Sequence, residues 1–189
     1  MSRQEQTDEA IARRVQEGDR EIFGVLVERY EQKMLRYGRK FLADREDIRD
    51  LVQEVFTKAY INIQSFDTER AFSAWIYRIA HNAFINYMRK KSTLGVFTLD
   101  FNLDVLIPHP VSGETADREA GVRDMRRMLD EAMDKLDAKY REPLVLHYFE
   151  EMDYREIAEI MHLPVSTVGV RLKRGKALLQ RIISEKPCT

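Results

Sequence analysis

Residues 152–182, MDYREIAEIMHLPVSTVGVRLKRGKALLQRI, decide the fold of the C-terminal part of this chain. Apolar residues at spacings of three and four predict a short helix over 154–161, with an inward face of Ile157, Ala158 and Met161. The break HLP follows at 162–164, where proline suits the first turn of a second helix. The second helix continues the apolar face with Val168, Leu172, Leu179 and Ile182. A short helix, a tight turn and a longer basic helix predict a helix-turn-helix, whose second helix enters the DNA major groove.

The charges around this motif are separated along the chain. Residues 165–186 carry six basic residues against one acid, whereas residues 141–160 carry six acids against two bases. We therefore expect the second helix to face phosphate and the part before it to face away. Ser166 and Thr167 can satisfy free amide groups at the start of the second helix. A helical hairpin with a solvated last helix is the alternative, but the small Ala158, the turn and the basic helix together favour DNA binding.

A second informative stretch, FSAWIYRIAHNAFINYMRKK at 72–91, holds the single tryptophan and no acid. Helical spacing predicts a buried face of Phe72, Trp75, Ile76, Ile79, Ala83 and Tyr87. A second apolar face contains Tyr77, His81, Phe84, Ile85 and Met88. We expect this face partly to pack against the helix at 21–41 and partly to remain available for stacking on unpaired bases. The polar flank consists of Arg78, Asn82, Asn86 and Arg89, whose side chains can hydrogen-bond base edges. The stretch is thus predicted to be core on one side and to bind melted DNA on its flank.

The sequence as a whole predicts an all-α protein with two small helical domains, at 1–91 and 118–189, joined by an irregular linker at 92–117. In the first domain, Asp44 is the predicted N-cap of a helix that buries Ile48, Leu51, Val52, Val55, Phe56, Ala59 and Ile63. The segment SFDTERA at 65–71 interrupts the helical pattern and is predicted to be a loop. The linker carries four acids and no base. Helical spacing resumes after it with Val122, Met125, Leu129, Met133 and Leu136.

Composition argues against several classes of protein. The chain has 189 residues and a net charge of −1, which argues against indiscriminate coating of nucleic acid. A polar N-terminus and the lack of a long apolar run predict neither a signal peptide nor membrane insertion, and the single Cys188 fits a cytoplasmic location. The four histidines lack metal-ligand spacing, and neither a glycine-rich phosphate loop nor an activated nucleophile is recognisable. We therefore expect no enzyme activity, no catalytic residue, no metal and no cofactor.

Three segments in this order resemble the extracytoplasmic-function sigma factors of bacterial RNA polymerase, in the group that retains only regions 2 and 4. They are DIRDLVQEVFTKAY at 47–60, the stretch at 72–91, and YREPLVLHYFEEMDYREIAEIMHLPVSTVGVRLKRG at 140–175. The resemblance extends from about residue 9 to residue 183. It implies a protein, often of the stress response, that binds core polymerase, directs it to specific promoters and helps to open the DNA. It also implies an anti-sigma factor as partner.

The resemblance implies roles for residues of the first domain. Asp50, Gln53 and Glu54 are expected to dock on the beta-prime coiled coil of core polymerase. The loop, with Ser65, Phe66 and Asp67, is expected to capture a base flipped from the minus-ten element. The flank residues Asn82 and Asn86, with Arg78 and Arg89 beside them, are expected to read the neighbouring melted strand. The acidic linker is expected to run toward the active-site cleft and the RNA exit path.

In the second domain, the resemblance implies contact with the beta flap and with the minus-thirty-five element. The residues expected at that element are Ser166 and Thr167 near phosphates, Val170 near a thymine methyl, and Arg171, Lys173 and Arg174 near base edges. Gly169 and Val170 stand where many members have a basic residue followed by a small hydroxyl residue, so recognition is expected to differ in sequence or to depend more on DNA shape. The alternative function is a helix-turn-helix regulator that binds duplex DNA without polymerase, which leaves the first domain unexplained.

Overall fold

The computed structural model describes residues 6–93 and 128–185, and every regular element in these ranges is helical. The helices are α1 (Asp8–Gln16), α2 (Phe23–Gly38), α3 (Arg45–Asn62), α4 (Phe72–Thr93), α5 (128–134), α6 (Ala138–Tyr148), α7 (Tyr154–Met161) and α8 (Val165–Ser184). The predicted all-α class is confirmed. Nearly all of the predicted linker lies outside the described residues, as do Val122, Met125 and Cys188.

Helices α1 to α4 form the first domain, in which α3 packs along α4. Asp44 caps α3 as predicted, since its Oδ1 accepts hydrogen bonds from the backbone N–H groups of Glu46 and Asp47 at 2.8 and 3.4 Å. The α3 residues that were predicted to be buried are all buried. The segment after the 3₁₀ turn Ile63–Ser65 is a loop that ends where α4 begins at Phe72, close to the predicted bounds.

The second apolar face of α4 packs against α2, which confirms that part of the prediction, but two of its residues are buried more deeply than Trp75 on the face that was predicted to be the core side. Tyr77 and Phe84, which were placed on the second apolar face, are completely buried, whereas Trp75 is only half-buried. The reason is the close approach of α2, whose Tyr37 ring lies 5.2 Å from the ring of Tyr77 and 6.0 Å from that of Phe84. The end of α2 can come this close because Gly38 has no Cβ: one added there would lie 2.6 Å from Phe84 Cζ.

Helices α5 to α8 form the second domain and contain the predicted helix-turn-helix. Asp153 and Glu156 form a capping box at the start of α7, and His162 ends the helix in the left-handed conformation at φ 53°. Helix α8 begins after Pro164, which is its N-cap residue. No side chain accepts a capping hydrogen bond from the backbone N–H groups at the start of this helix. Ser166 and Thr167 therefore do not satisfy its first amide groups through their hydroxyls as predicted. Instead, the N–H of Thr167 donates to the carbonyl of Pro164 at 2.9 Å.

The two domains pack directly against each other, with α7 lying on α4. Buried residues of both domains belong to one hydrophobic core. This contact places the helix-turn-helix beside the helix that carries the predicted melted-DNA flank.

Candidate nucleic-acid and polymerase-binding surfaces

The predicted docking face of α3 is exposed. Asp50, Gln53 and Glu54 all face solvent, because the opposite side of the helix carries its buried residues. Glu54 is paired with Lys58 one turn later, at 2.5 Å between Oε1 and Nζ. An exposed pair of this kind contributes little to stability. Its carboxylate is therefore available to exchange Lys58 for a cationic partner at small cost.

Two apolar residues that sequence reasoning missed extend this face. Ile61 is 69% exposed and Tyr60 is 39% exposed, although both belong to the same helix. Residues 50, 54, 57 and 61 recur at spacings of four, three and four, so Ile61 lies on the same side of α3 as Asp50 and Glu54. The sequence contains a signal that could have identified Ile61. It is an apolar residue that lies between Ala59 and Ile63 but does not belong to the set of helically spaced residues predicted to be buried.

The predicted loop at 65–71 is held in place by α1. Gln16 donates from Nε2 to the carbonyl oxygens of Ile63 and Phe66, at 2.7 and 2.8 Å. Arg13 binds the loop farther along, at 2.9 Å from both Thr68 Oγ1 and Glu69 Oε1. Glu9 accepts a hydrogen bond at 3.0 Å from the N–H of Phe72, the first residue of α4. Three residues of α1, each about one turn apart, thus fix the shape of a segment more than 40 positions later.

The three loop residues that were predicted to bind DNA lie in different environments. Ser65 and Asp67 are exposed and stabilise the turn: Ser65 Oγ donates to the carbonyl of Asn62 at 2.7 Å, and Asp67 Oδ1 accepts from the N–H of Glu69 at 3.0 Å. Phe66 instead lies in the core, with its ring 5.4 Å from that of Phe72 and 5.1 Å from that of Trp75. Its ring supports the loop from below and has no face available to a base.

The polar flank of α4 borders the second domain. Asn82 and Asn86 are exposed, as is Arg89, while Arg78 is half-buried. The amide oxygen of Asn82 lies 3.3 Å from Nε2 of His162 in the turn between α7 and α8. Arg70, just before α4, is paired with Glu159 of α7 at 3.0 Å. The predicted DNA-reading flank is therefore in contact with the helix-turn-helix at one edge.

The predicted contact residues of α8 share its outer side. Ser166, Val170, Lys173 and Arg174 are exposed, and Thr167 and Arg171 are half-buried. Gly169 lies beside the ring of Tyr154, where an added Cβ would be 3.6 Å from the nearest ring carbon, an ordinary contact distance. The partly exposed Tyr154 thus fills space next to the glycine, and sequence reasoning did not identify it.

A buried cluster joins the two domains at Glu142 of α6. This carboxylate is 5% exposed, and its Oε1 accepts a hydrogen bond from the Tyr37 hydroxyl at 2.5 Å and lies 2.6 Å from Nδ1 of His81. Both partners belong to the first domain. A buried carboxylate costs several kcal/mol unless it has such partners, so Glu142 ties the two domains together.

A second carboxylate of the same domain is buried nearby. Glu150, between α6 and α7, lies 4.0 Å from Lys33 Nζ of α2, and its side chain is almost fully covered. Burial raises its pKa, partly opposed by Tyr77, Lys33 and Arg36. Glu142, Glu150 and Glu159 therefore contact the first domain. From the sequence, the acids of residues 141–160 were expected only to face away from phosphate.

Within residues 6–93 and 128–185, no cluster of His, Cys, Asp or Glu side chains has the arrangement of a metal site. His147 packs between the rings of Tyr148 and Tyr154 and binds the carbonyl of Met152 at 2.8 Å, as expected for a packing histidine. In the same part of the chain, no helix is long and apolar enough to cross a membrane.

Comparison with known proteins identifies the family. The family model for Sigma-70 region 2 matches residues 26–93, and that for Sigma-70, region 4 matches residues 126–179. The chain is 33% identical to the ECF RNA polymerase sigma factor SigW of Bacillus subtilis, over 89% of this chain and 92% of the relative. It is 34% identical to the ECF RNA polymerase sigma-E factor of Haemophilus influenzae, over 94% and 95% of the two chains.

Two solved structures share the fold. CnrH in complex with the cytosolic domain of CnrY superposes with a TM-score of 0.67 at 25% identity, over 95% of this chain and 99% of that one. The sigma factor RpoE of Bartonella quintana, solved with the anti-sigma factor NepR, shares the fold with a TM-score of 0.68 at 22% identity, over 87% and 98% of the chains.

The chain therefore belongs to the extracytoplasmic-function sigma factors of bacterial RNA polymerase, and its function is that of an alternative sigma factor in transcription. The resemblance read from the sequence is confirmed. A helix-turn-helix regulator without a polymerase-binding domain is not supported, because the similarity extends over both domains. Helix α1 lies before the residues that the region 2 model matches. Its side chains nevertheless hold the loop at 65–71, which lies within the matched residues.

Proposed function

We propose that the chain binds core RNA polymerase, directs it to promoters that carry minus-ten and minus-thirty-five elements, and helps to open the DNA. The observation that carries this proposal is the arrangement around α4. One side of the helix lies in the core, while Asn82 and Asn86 face solvent on the same helix, which directly follows a loop that α1 holds in position. A helix with exposed amides that follows a fixed loop suits the reading of an unpaired strand.

The loop supplies the place for a flipped base in this proposal. Ser65 and Asp67 are its exposed polar groups, whereas Phe66 acts from the core by supporting the turn. Because three α1 side chains fix the loop, little conformational entropy is lost when a base enters it. Arg78 and Arg89 are proposed to contact the same strand, through base edges or phosphates.

Helix α3 is proposed to dock on the beta-prime coiled coil of core polymerase. Asp50, Gln53 and Glu54 offer acidic and amide groups, and Ile61 adds an exposed apolar contact at the end of the same side. A polar surface with one apolar anchor is typical of a transient interface.

The second domain, proposed to span residues 118–189, is assigned to the minus-thirty-five element and the beta flap. Lys173 and Arg174 extend from the exposed side of α8, and Ser166 and Thr167 lie in its first turn, where phosphate is favoured. Gly169 offers no side chain to a base, so Val170 and Arg171 are expected to carry more of the readout. The first domain is proposed to span 1–91, and the acidic linker at 92–117 to run along polymerase.

We also propose an anti-sigma factor as partner and the cytoplasm as the location. The support is that CnrH and the sigma factor of Bartonella quintana were both solved with a partner protein, named in the latter case as an anti-sigma factor. Co-purification of the chain from its host after mild cross-linking would identify such a partner. Recovery of core polymerase without any further protein, in both stressed and unstressed cells, would contradict the anti-sigma proposal.

Transcription in vitro tests the main proposal. The purified chain is mixed with sigma-free core polymerase and fragmented genomic DNA of its host, and transcript starts are mapped. We expect discrete starts that share two upstream elements and that disappear when the chain is omitted. If no start depends on the chain, the proposal is wrong.

Two double variants separate the assigned surfaces. Asn82→Ala with Asn86→Ala should reduce promoter opening by roughly tenfold or more while binding to core polymerase is unchanged, since a good base contact contributes about 1–3 kcal/mol. Asp50→Lys with Glu54→Lys should weaken core binding instead. Gln32→Ala, an exposed amide on α2, is the control. Loss of core binding in the asparagine variant would contradict the role of the flank.

A further inference from the structure

The end of α4 that carries the proposed DNA-reading residues Asn86 and Arg89 extends beyond the core of the first domain. Phe84 is the last residue of the helix that is completely buried, and every side chain from 85 to 91 is at least partly exposed. The helix itself continues to Thr93. A helix end with little packing frays more readily than the helix centre, so the placement of the reading residues depends on what holds this last part of α4.

An ion pair with the start of α3 holds this end of α4. Nζ of Lys91 lies 2.5 Å from Oδ2 of Asp47 and 5.0 Å from the centre of the Tyr87 ring, one turn earlier on α4. Hydrogen bonds from Lys91 and Tyr87 lower the pKa of the Asp47 carboxyl group below its ordinary value. The paired side chains are 33% and 26% exposed, against 47% and 48% in the surface pair of Lys58 with Glu54. The pair is therefore less screened by solvent than an ordinary surface pair.

The two helix ends that the pair joins are also complementary in charge. Asp47 lies in the first turn of α3, where the free backbone N–H groups favour a carboxylate, and Lys91 lies in the last turn of α4, where the free carbonyl groups favour a cation. Asp50, on the proposed docking side of α3, follows Asp47 by three residues. The pair thus connects the proposed polymerase-binding helix to the DNA-reading end of α4.

We propose that Asp47 and Lys91 are positioning residues, which form a clamp that sets the place of Asn86 against the melted promoter strand. The clamp acts through the helix end that it holds, so neither of its side chains needs to contact DNA. Asn82 lies one turn nearer the packed part of α4, between two buried residues, and is positioned by the core instead. The clamp therefore affects the reading of one base more than that of the other. The inference rests on the proposed function of the flank, but the hold of the clamp on α4 can be measured without DNA.

Hydrogen exchange of the free chain tests the hold of the clamp. Lys91→Met removes the ammonium group and keeps an unbranched side chain. It should raise the exchange rates of the backbone amides at 86–91 by about two- to fivefold, as expected for loss of a partly exposed pair, and leave those at 76–84 unchanged. Lys90→Met is the matched control, because this exposed neighbour loses the same charge. Equal exchange rates at 86–91 in the two variants would overturn the proposal.

Base discrimination during promoter opening tests the positioning role. The chain with core polymerase is compared on single-base changes in the minus-ten element of a promoter that it opens, and Asn82→Ala and Asn86→Ala identify the base that each amide reads. Lys91→Met should lower discrimination at the Asn86-dependent base by about two- to fivefold, because the clamp can transmit no more than its own free energy. It should leave the Asn82-dependent base unchanged. Lys91→Arg, which can still pair with Asp47, should retain both discriminations, as should Lys90→Met.

Removal of the acid separates pairing from charge. Asp47→Asn deletes a negative charge, which on charge alone would favour DNA, yet it should cause the same loss of discrimination as Lys91→Met, with no further loss in the double variant. Faster exchange with unchanged discrimination in both single variants would make the pair merely structural and overturn the positioning role. If the unaltered chain opens no promoter, or Asn86→Ala changes no base preference, the proposed function of the flank is wrong and the positioning role is refuted with it. The exchange rates still decide whether the pair holds α4.

Discussion

The contacts between α1 and the loop at 65–71 can be tested with a single substitution, because one side chain, that of Gln16, makes two of the hydrogen bonds. Gln16→Ala removes the amide that donates to the carbonyls of Ile63 and Phe66 at 2.7 and 2.8 Å. A neutral hydrogen bond contributes about 0.5–1.5 kcal/mol net, so two contribute about 1–3 kcal/mol. Gln16 is half-buried, and water can reach part of the site, so we expect about 1–2 kcal/mol.

Two assays measure this change. Urea unfolding of the full chain should show the loss of stability, with Gln32→Ala as the matched control because that amide is exposed on α2. Promoter opening, followed by reactivity of unpaired thymines, should fall by roughly 5–30-fold if the loop must keep its shape to receive a base. Binding to core polymerase should not change, because α3 is untouched. Equal stability of the Gln16 and Gln32 variants would refute the assignment of α1 as the support of the loop.

Three further predictions concern packing and pH. Gly38→Ala should destabilise the chain by about 1–3 kcal/mol through overlap with Phe84, whereas Gly24→Ala on the same helix, with nothing within 4 Å, should be neutral or slightly stabilising in thermal unfolding. Gly169→Ala should stabilise α8 by up to about 1 kcal/mol, because its methyl group finds ordinary contact distance to Tyr154; a loss of stability would contradict that reading. Burial raises the pKa of Glu150 above its ordinary value of 4.5, so stability should fall as the pH rises from 4.5 through the raised pKa and stay level above it. In the Glu150→Gln variant, the urea-unfolding midpoint should no longer change with pH in this range. If the pH dependence were unchanged in this variant, another titrating group would be its source.

The docked domains change how the charge pattern of the second domain is understood. Its acids were expected to point away from phosphate. Three of them, however, meet the first domain, where Glu142 and Glu150 are buried. The same charge separation therefore serves both DNA binding and contact between domains.

Local patterns account for what sequence reasoning predicted well. The helix-turn-helix, the N-cap at Asp44 and the buried side of α3 each depend on residues within a few positions of one another, where helical periodicity and capping chemistry act. The exposure of Asp50 and Lys173 follows from the same periodicity. The family could be identified because these local patterns occur in one order along most of the chain.

Residues far apart in the sequence decide what could not be predicted. α4 has two apolar faces of similar composition, and only the approach of α2 at Gly38 determines that Tyr77 and Phe84 are buried more deeply than Trp75. Phe66 was expected at the DNA surface, but it is in the core because the turn, held by Gln16, directs its ring toward Phe72.

The amino-acid sequence by itself determined the helices, the helix-turn-helix and the identity of the exposed polar faces, because each is a property of neighbours along the chain. The tertiary structure alone decided that Glu142 meets Tyr37 and His81, and that Asn82 meets His162. A glutamate in an amphipathic helix looks the same whether it faces water or another domain. Its burial depends on partners about 60 to 100 positions away, which no local pattern specifies.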